Sequence, residues 1–319
     1  MNGNNPGREA VLGIDIGGTK VMVGLVSREG EILCSERRPV VWGEDRALFG
    51  AICEAADSLL AGAGDAVRVV AVGIGVKGHV QDNRLISSSM LGGAVSYDLC
   101  GMLRDHFHLP VYADNDVNAA TVAEAILGAG RDTNFFVYVN IGTGSALGIY
   151  DQGRLVRGRV NYSGEIGYTI CRLPQEDRLF CLEDVASGKG LSDEAKRLAP
   201  AYPGSPLALQ AQRTAHNLSA IDIFDAWRAG DELAQEVVSR AVEVLAINVI
   251  NFECVLGSGL FIFGGGVISE PAFFEQVCAR VQAIRTQLRL QLPLELRVSA
   301  LGAANVGLLG AACVAFSAM

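Results

Sequence analysis

The apolar positions of this chain fall into two stretches that repeat one pattern. Val11–Val26 is an almost unbroken apolar run interrupted by the turn Asp15-Ile16-Gly17-Gly18-Thr19-Lys20, and Glu31–Val40 follows after the polar turn Ser27-Arg28-Glu29-Gly30. From Phe135 the order recurs: an apolar run, the turn Gly142-Thr143-Gly144-Ser145, a second run, the turn Asp151-Gln152-Gly153 and a third run. Both stretches predict strand meanders, so the chain reads as two related halves. Elsewhere the period is helical. Asp45–Ala61 places Leu48, Ile52, Ala55 and Leu59 on one face, and Leu99–Phe107 and Asp116–Leu127 read as helices, the latter entered through Asn115 and Asp116. Gly190–Leu198, Ile221–Ala229, Glu232–Leu256, Pro271–Leu288 and Ala303–Phe316 complete the predicted helices. Val67–Val76, Val111–Ala113, Leu260–Phe263 and Glu295–Ala300 read as strands, while His79–Tyr97 and Asn161–Lys189 read as irregular. Pro200, Pro203, Gly204 and Pro206 read as a break. Meanders followed by alternating strands and helices predict the α/β class, with two domains facing a cleft. Residues 1–114 with 304–319 are expected to form the smaller domain and residues 115–303 the larger.

The turns carry the candidate chemistry. Each lies between two apolar runs, where glycine lets backbone N–H groups approach an anion and Thr or Ser adds a hydroxyl. Two such turns suggest two clamps on a polyphosphate. Asp116 lies between them in sequence. It can be a helix cap, or a base acting on whatever receives the phosphate; its place between the two turns favours the base. Lys77, in the loop after Val67–Val76, reads as a solvated charge. His79, His106, His108 and His216 show no metal-ligand spacing.

Composition narrows the class. The chain has 319 residues, enough for two domains each with its own core. Half of the residues are hydrophobic, but no uninterrupted apolar stretch reaches the roughly 18–20 residues of a membrane span. Met1–Glu9 is polar, carries no apolar segment of a secretion signal and reads as a disordered leader. A net charge of −9 and the absence of any basic run longer than Arg37-Arg38 argue against nucleic-acid binding. Eight scattered cysteines without a C-x-x-C pair read as reduced thiols of a cytoplasmic protein.

In this order, the motifs resemble those of the ROK family (repressor, open reading frame, kinase), a branch of the actin-like ATPase superfamily that also includes hexokinases. The resemblance runs from Gly13 to Ala315. It is carried by Asp15-Ile16-Gly17-Gly18-Thr19-Lys20, by Asn115-Asp116 with Asn118-Ala119-Ala120 and Glu124, by Gly128-Ala129-Gly130 and by Gly142-Thr143-Gly144. It continues through Gly164-Glu165-Ile166-Gly167, Cys181-Leu182-Glu183, Ser187-Gly188 and Phe263-Gly264-Gly265-Gly266-Val267. The resemblance implies two actin-like (ribonuclease H-like) ATPase domains and an ATP-dependent kinase acting on a hexose or amino sugar. It implies Asp116 as general base and Asp15 as the residue that holds Mg²⁺ through water. Gly17, Gly18, Thr19, Lys20, Gly142, Thr143 and Gly144 would bracket the phosphates, and Gly265 and Gly266 would leave room for the nucleotide. Ser89, Asn115, Asp116, Glu165, Tyr168 and Glu183 fall at sugar-contacting positions. The apolar face of Val237–Phe252 could form a dimer seam but reads rather as the core of the second domain, with the contact of an expected homodimer nearby.

The chain departs from the family pattern in several places. Tyr168 stands where a His usually binds sugar and a structural zinc. The other zinc ligands are three Cys in a C-x-C-x4-C pattern, and counting back from Cys181 puts Glu176 and Pro174 at the other two positions. The structural zinc is therefore expected to be absent. Lys77 replaces a usual Pro and Ser89 a usual Asn. Family repressors carry a DNA-binding domain ahead of the first motif. With a dozen residues before Gly13, that role is not expected here. A non-catalytic, sugar-sensing relative is the alternative, and the retained Asp116 argues against it.

Overall fold

Alternation of side chains decides the first sheet. Strands β1 (Arg8–Ile16), β2 (Lys20–Ser27) and β3 (Ile32–Pro39) form the antiparallel meander that the pattern predicts, with β1 starting inside the expected leader. Helix α1 (Ala47–Ala63) leads to β4 (Val67–Val76), which runs parallel to β1. After β5 (His79–Gln81), β6 (Arg84–Ser88) and β7 (Gly93–Ala94), helix α2 (Leu99–Phe107) leads to β8 (Val111–Asn115), parallel to β4, and to α3 (Asp116–Ile126). The sheet order is β3-β2-β1-β4-β8. The structure is a computed structural model, and it describes residues 7–40, 46–88, 93–94, 98–159, 161–173, 176–213 and 218–319. Ser89, Pro174 and His216 lie outside these.

The second half is built from β9 (Phe135–Ile141), β10 (Ser145–Asp151) and β11 (Arg154–Leu155). A hairpin follows, β12 (Ile170–Cys171) with β13 (Phe180–Cys181), then helices α4 (Leu182–Ala186), α5 (Gly188–Leu198), α6 (Pro206–Arg213), α7 (Ala220–Arg228) and α8 (Glu232–Leu256). Strand β14 (Leu260–Gly264), helix α9 (Pro271–Leu288) and β15 (Glu295–Val298) complete the order β11-β10-β9-β14-β15, in which β14 runs parallel to both β9 and β15. The two sheets therefore share one connectivity, as the repeated sequence pattern implies. Helix α10 (Val306–Ala318) closes the chain.

The chain forms two compact units. Described residues up to Asn134, with Gly148–Ser163 and Ala300–Met319, make the first; Phe135–Leu147 with Gly164–Ser299 make the second. The expected division before Asn115 is corrected, because α3 belongs to the first unit: Val122 and Ala123 share a core with Leu308, Leu309 and Ala312 of α10. On the opposite face of the first sheet, Leu12, Ile14, Val23, Val72 and Ile74 pack with Leu48 and Ile52 of α1 and Leu103 of α2. The α10 face instead carries Gly13, Gly24 and Gly73. A Cβ at Gly73 would collide with the Ala311 carbonyl. This lets a helix of small residues lie against the sheet backbone.

Two local expectations need correction and a third needs extending. The described residues of the stretch from His79 to Tyr97 are not irregular: β5, β6 and β7 form a small sheet in that order, while residues 89–92 and 95–97 lie outside the described residues. Asp82 and Asn83 at φ 50° and 58° make the tight hairpin turn, and Val80 and Leu85 bury its apolar side. Within Asn161–Lys189, the β12–β13 hairpin and α4 are regular. The proline cluster breaks the chain as expected, α5 ending at Leu198, but its last member also starts a helix that was not expected: Pro206 opens α6, and the buried Asp231 carboxylate accepts from Ser205 Oγ at 2.8 Å and from Leu207 N and Ala234 N at 3.0 Å. Residues 47–66 are also, by length and composition, apolar enough to cross a membrane, with mean hydropathy 1.3. In this fold Leu48, Ile52, Ala55 and Ala56 of that stretch are core residues.

Candidate active site

In the first unit the strand ends bring together Asp15, Lys77 and Asp116. Asp15 ends β1 just before the first glycine turn, which closes through Gly17 N–H to the Lys20 carbonyl at 3.0 Å. Thr19 and Lys20 are exposed at its tip. The Asp15 carboxylate sits against Gly307 near the start of α10, where a Cβ would collide with it. Burial pushes its pKa up to about 6, the Asp116 charge adds to the rise, and Lys20 opposes it. Asn115 caps α3, its Oδ1 accepting from Val117 N at 2.8 Å and Asn118 N at 3.3 Å while its Nδ2 donates to the Gly78 carbonyl at 3.1 Å. Asp116 is the first residue of α3. Burial raises its pKa, and Lys77 is the strongest opposing influence, followed by the backbone N–H of Val117. Lys77 is thus more than the solvated loop charge expected of it.

Beneath Asn115 lies a network that sequence reasoning missed. Asp114 is 1% exposed. Its Oδ1 accepts from Asn115 N at 2.8 Å and Asn118 Nδ2 at 2.9 Å, and its Oδ2 meets Arg157 Nη1 at 2.5 Å. Asn118 also donates to Asn161 Oδ1 at 3.2 Å, and Asn161 Nδ2 donates to the Val80 carbonyl at 2.7 Å. The one signal available in sequence is an acidic residue inside a buried strand, which requires partners.

In the second unit the glycine turn between β9 and β10 is held from three sides. Gly188 N and Lys189 N, at the start of α5, donate to the Gly142 and Thr143 carbonyls at 2.7 and 3.4 Å. Val267 N donates to the Ile141 carbonyl at 3.0 Å, next to Gly265 at φ 94°, where a Cβ would strike that same carbonyl. Ser145 N donates to Glu183 Oε2 at 2.8 Å. Gly144 has no room for a Cβ beside that carboxylate, and at Gly167 a Cβ would lie 3.1 Å from it. None of these braces uses the N–H of Thr143 or Gly144. Ser145 Oγ, the hydroxyl that ends this turn, is buried and has no partner among the described residues. Glu165 and Tyr168 are exposed, Tyr168 at 75%. Gly265 is half-buried and Gly266 exposed.

The donor chemistry divides the two metals that the resemblance implies. Asp15 offers hard carboxylate oxygens in a half-buried position where the negative charge is under-compensated, which suits Mg²⁺. The zinc positions do not fit: Tyr168 is a poor ligand, and Glu176 is paired with Arg240 and Arg197. Among the described residues no group of three or more His, Cys, Asp or Glu side chains could hold a metal ion.

The comparisons with known proteins agree with the motifs. The model of the ROK family matches residues 11–317. The glucokinase of Halalkalibacterium halodurans is 30% identical over 266 residues, covering 80% of this chain and 80% of the relative. The N-acetylmannosamine kinase of Shigella boydii is 29% identical over 315 residues, covering 95% and 97%. The crystal structure of a ROK family glucokinase from Streptomyces griseus, in complex with glucose and AMPPNP, is 28% identical and has a TM-score of 0.76, covering 95% of this chain and 98% of that one. With the family model matched over nearly the whole length and the duplicated sheets in place, the chain belongs to the ROK family and has its actin-like ATPase fold.

Proposed function

We propose that this protein is an ATP-dependent sugar kinase that phosphorylates a hydroxyl of a hexose or amino sugar. The observation that carries the reading is Asp116, retained at the start of α3 with its pKa raised by burial and restrained by Lys77. A carboxylate in that setting can accept the proton of a sugar hydroxyl as the oxygen attacks phosphorus. Phosphoryl transfer asks a protein mainly for positioning and charge neutralisation. Gly17, Gly18, Thr19 and Lys20, and Gly142, Thr143 and Gly144, would hold phosphate oxygens through backbone N–H groups, hydroxyls and the Lys20 ammonium. Gly265 and Gly266 would admit the nucleotide. Asp15 would hold Mg²⁺ through water, and the bound ion would supply neutralisation of phosphate charge. Asn115, Glu165, Tyr168 and Glu183 would contact the sugar, with Ser89 at the family's corresponding loop position. A homodimer, a cytoplasmic location and the absence of structural zinc, nucleic-acid partners and membrane partners complete the reading.

The exposed Tyr168, in place of the family's His, favours a substrate outside the usual set and keeps a sugar-sensing, non-catalytic role as the second reading. One experiment separates them. Aldoses, ketoses and amino sugars are screened with ATP and Mg²⁺, following ADP release. Sugar-dependent turnover is expected with at least one of them. Saturable sugar binding without ADP release from any would establish the sensing role instead.

A further inference from the structure

Glu176 stands where the family pattern has a metal-binding cysteine, and its surroundings suit an anion. Its Oε1 accepts from Arg240 Nη1 at 2.6 Å and from Arg197 Nη2 at 2.7 Å, and its Oε2 lies 3.4 Å from Arg197 Nη1 and 3.7 Å from Arg178 Nε. Glu194, with its side chain 4% exposed, takes Arg197 Nε at 2.7 Å and Arg178 Nη2 at 3.2 Å, and Glu236 takes Arg240 Nε at 2.6 Å. Three carboxylates thus face three guanidiniums. The Phe180 ring, 4% exposed, lies under Arg178 at 4.1 Å and near Arg197 at 5.7 Å. The hydrogen bond from Arg240 holds the Glu176 carboxyl below its ordinary range, with Arg197 adding to it. A divalent cation here would displace guanidiniums from both oxygens, so the donor set does not fit zinc.

The cluster fixes an arm of the chain. Glu194 and Arg197 belong to α5 and Arg240 to α8, so residues 176–181 are pinned to both helices. The arm ends at Cys181, whose N–H donates to Asp184 Oδ2 at 2.9 Å as α4 begins, and Leu182 N donates to the Thr169 carbonyl at 2.8 Å. The next residue is Glu183, which holds the Ser145 N–H. We propose that this ion-pair cluster replaces a metal as the tether of residues 176–181, making Glu176 a positioning residue for Glu183 and, through it, for the Ser145 end of the second glycine turn. The role for the sugar rests on the kinase reading; the tether itself does not.

Glu176→Gln, Arg240→Met and Arg240→Lys test this beside the wild type. The wild type should contain well under one zinc per chain by elemental analysis, with a Tm unmoved by chelator. Glu176→Gln and Arg240→Met should each lower Tm by about 5 °C or more, and the double variant by less than the sum. Hydrogen exchange should quicken at the peptide carrying Ser145 as well as at residues 176–183. The sugar KM should rise several-fold with a smaller change in kcat, and Arg240→Lys, which keeps the charge, should recover part of that rise. Stoichiometric zinc whose removal lowers Tm overturns the proposal. So does a Glu176→Gln protein with wild-type Tm and wild-type exchange at Ser145. A wild type that phosphorylates no sugar overturns the kinase reading instead, and metal content, Tm and exchange still decide the tether.

Discussion

The two glycine turns sit at matching places in two sheets of the same connectivity, yet they are held by different forces. Around the first, the backbone bonds come from its own hairpin and the adjoining strands: Gly17 N to the Lys20 carbonyl at 3.0 Å, Val40 N to the Thr19 carbonyl at 3.1 Å and Lys77 N to the Ile16 carbonyl at 3.3 Å. Its character comes from charge, with Asp15 under the influence of Asp116 and Lys20, and Asp116 under that of Lys77. The second turn has Glu183, the α5 start and the Gly265–Val267 backbone around it. The two sheets share their strand order, while the residues at the strand ends and, for the second turn, the added Glu183 and α5 start differ. The first is tuned electrostatically and the second geometrically.

The largest effect is expected at Asp116. Asp116→Asn keeps the shape and the α3 start but cannot accept a proton. We expect kcat to fall by about 10²–10⁴ while sugar affinity weakens only modestly. Steady-state kinetics with calorimetric sugar binding checks this, and a variant keeping most of its kcat removes Asp116 from the base role. No comparable loss should follow any single change at the second turn, because its contribution is spread over several braces.

Close packing gives the next largest effect, this time on stability. Gly73→Ala drives a methyl group into the Ala311 carbonyl of α10, and the first sheet must move away from its helix. The expected cost is about 1–3 kcal/mol by chemical denaturation. Gly50 is the control: a Cβ there meets nothing within 4 Å, and Gly50→Ala in α1 should be neutral or stabilising. Equal effects at the two positions would mean that α10 does not lie on the sheet backbone as described.

These contrasts show what a linear reading can reach. Strands, glycine turns and most helices were legible because they depend on periods of two to four residues. The small sheet after His79 was missed because its turn is made by Asp82 and Asn83, and no glycine marks it. The supports of the site were missed because their partners are remote: Ser145 and Glu183 are 38 residues apart, and Glu176 and Arg240 are 64 apart. Neither residue of such a pair announces the other locally. The Asp114 network was hidden for the same reason, since Arg157 arrives from beyond β11.

At the second turn, Gly265→Ala forces a side chain onto a residue at φ 94° and against the Ile141 carbonyl. If the turn is tuned by geometry, ATP KM should rise by about tenfold, equivalent to roughly 1.4 kcal/mol, with sugar KM little changed. The same substitution at Gly17, where φ is not positive and the nearest contact is the Lys20 carbonyl at 3.2 Å, should cost less. A larger loss at Gly17 would reverse the assignment of geometry to the second turn.

The smallest effect is the most specific for the first site. Lys77 is the leading influence that lowers the Asp116 pKa against the rise caused by burial. A base acts only when deprotonated, so kcat/KM must fall as pH drops through its pKa in the free enzyme. Lys77→Met removes the opposing cation and leaves burial uncompensated, so the Asp116 pKa rises further and the acid limb of kcat/KM moves to higher pH. Well above that limb the carboxylate is ionised in both proteins, and their rates should converge unless Lys77 also touches substrate. A parallel loss at every pH would assign Lys77 to binding rather than to tuning. A limb displaced to lower pH would contradict the sign of the charge interaction and with it the electrostatic account of the first turn.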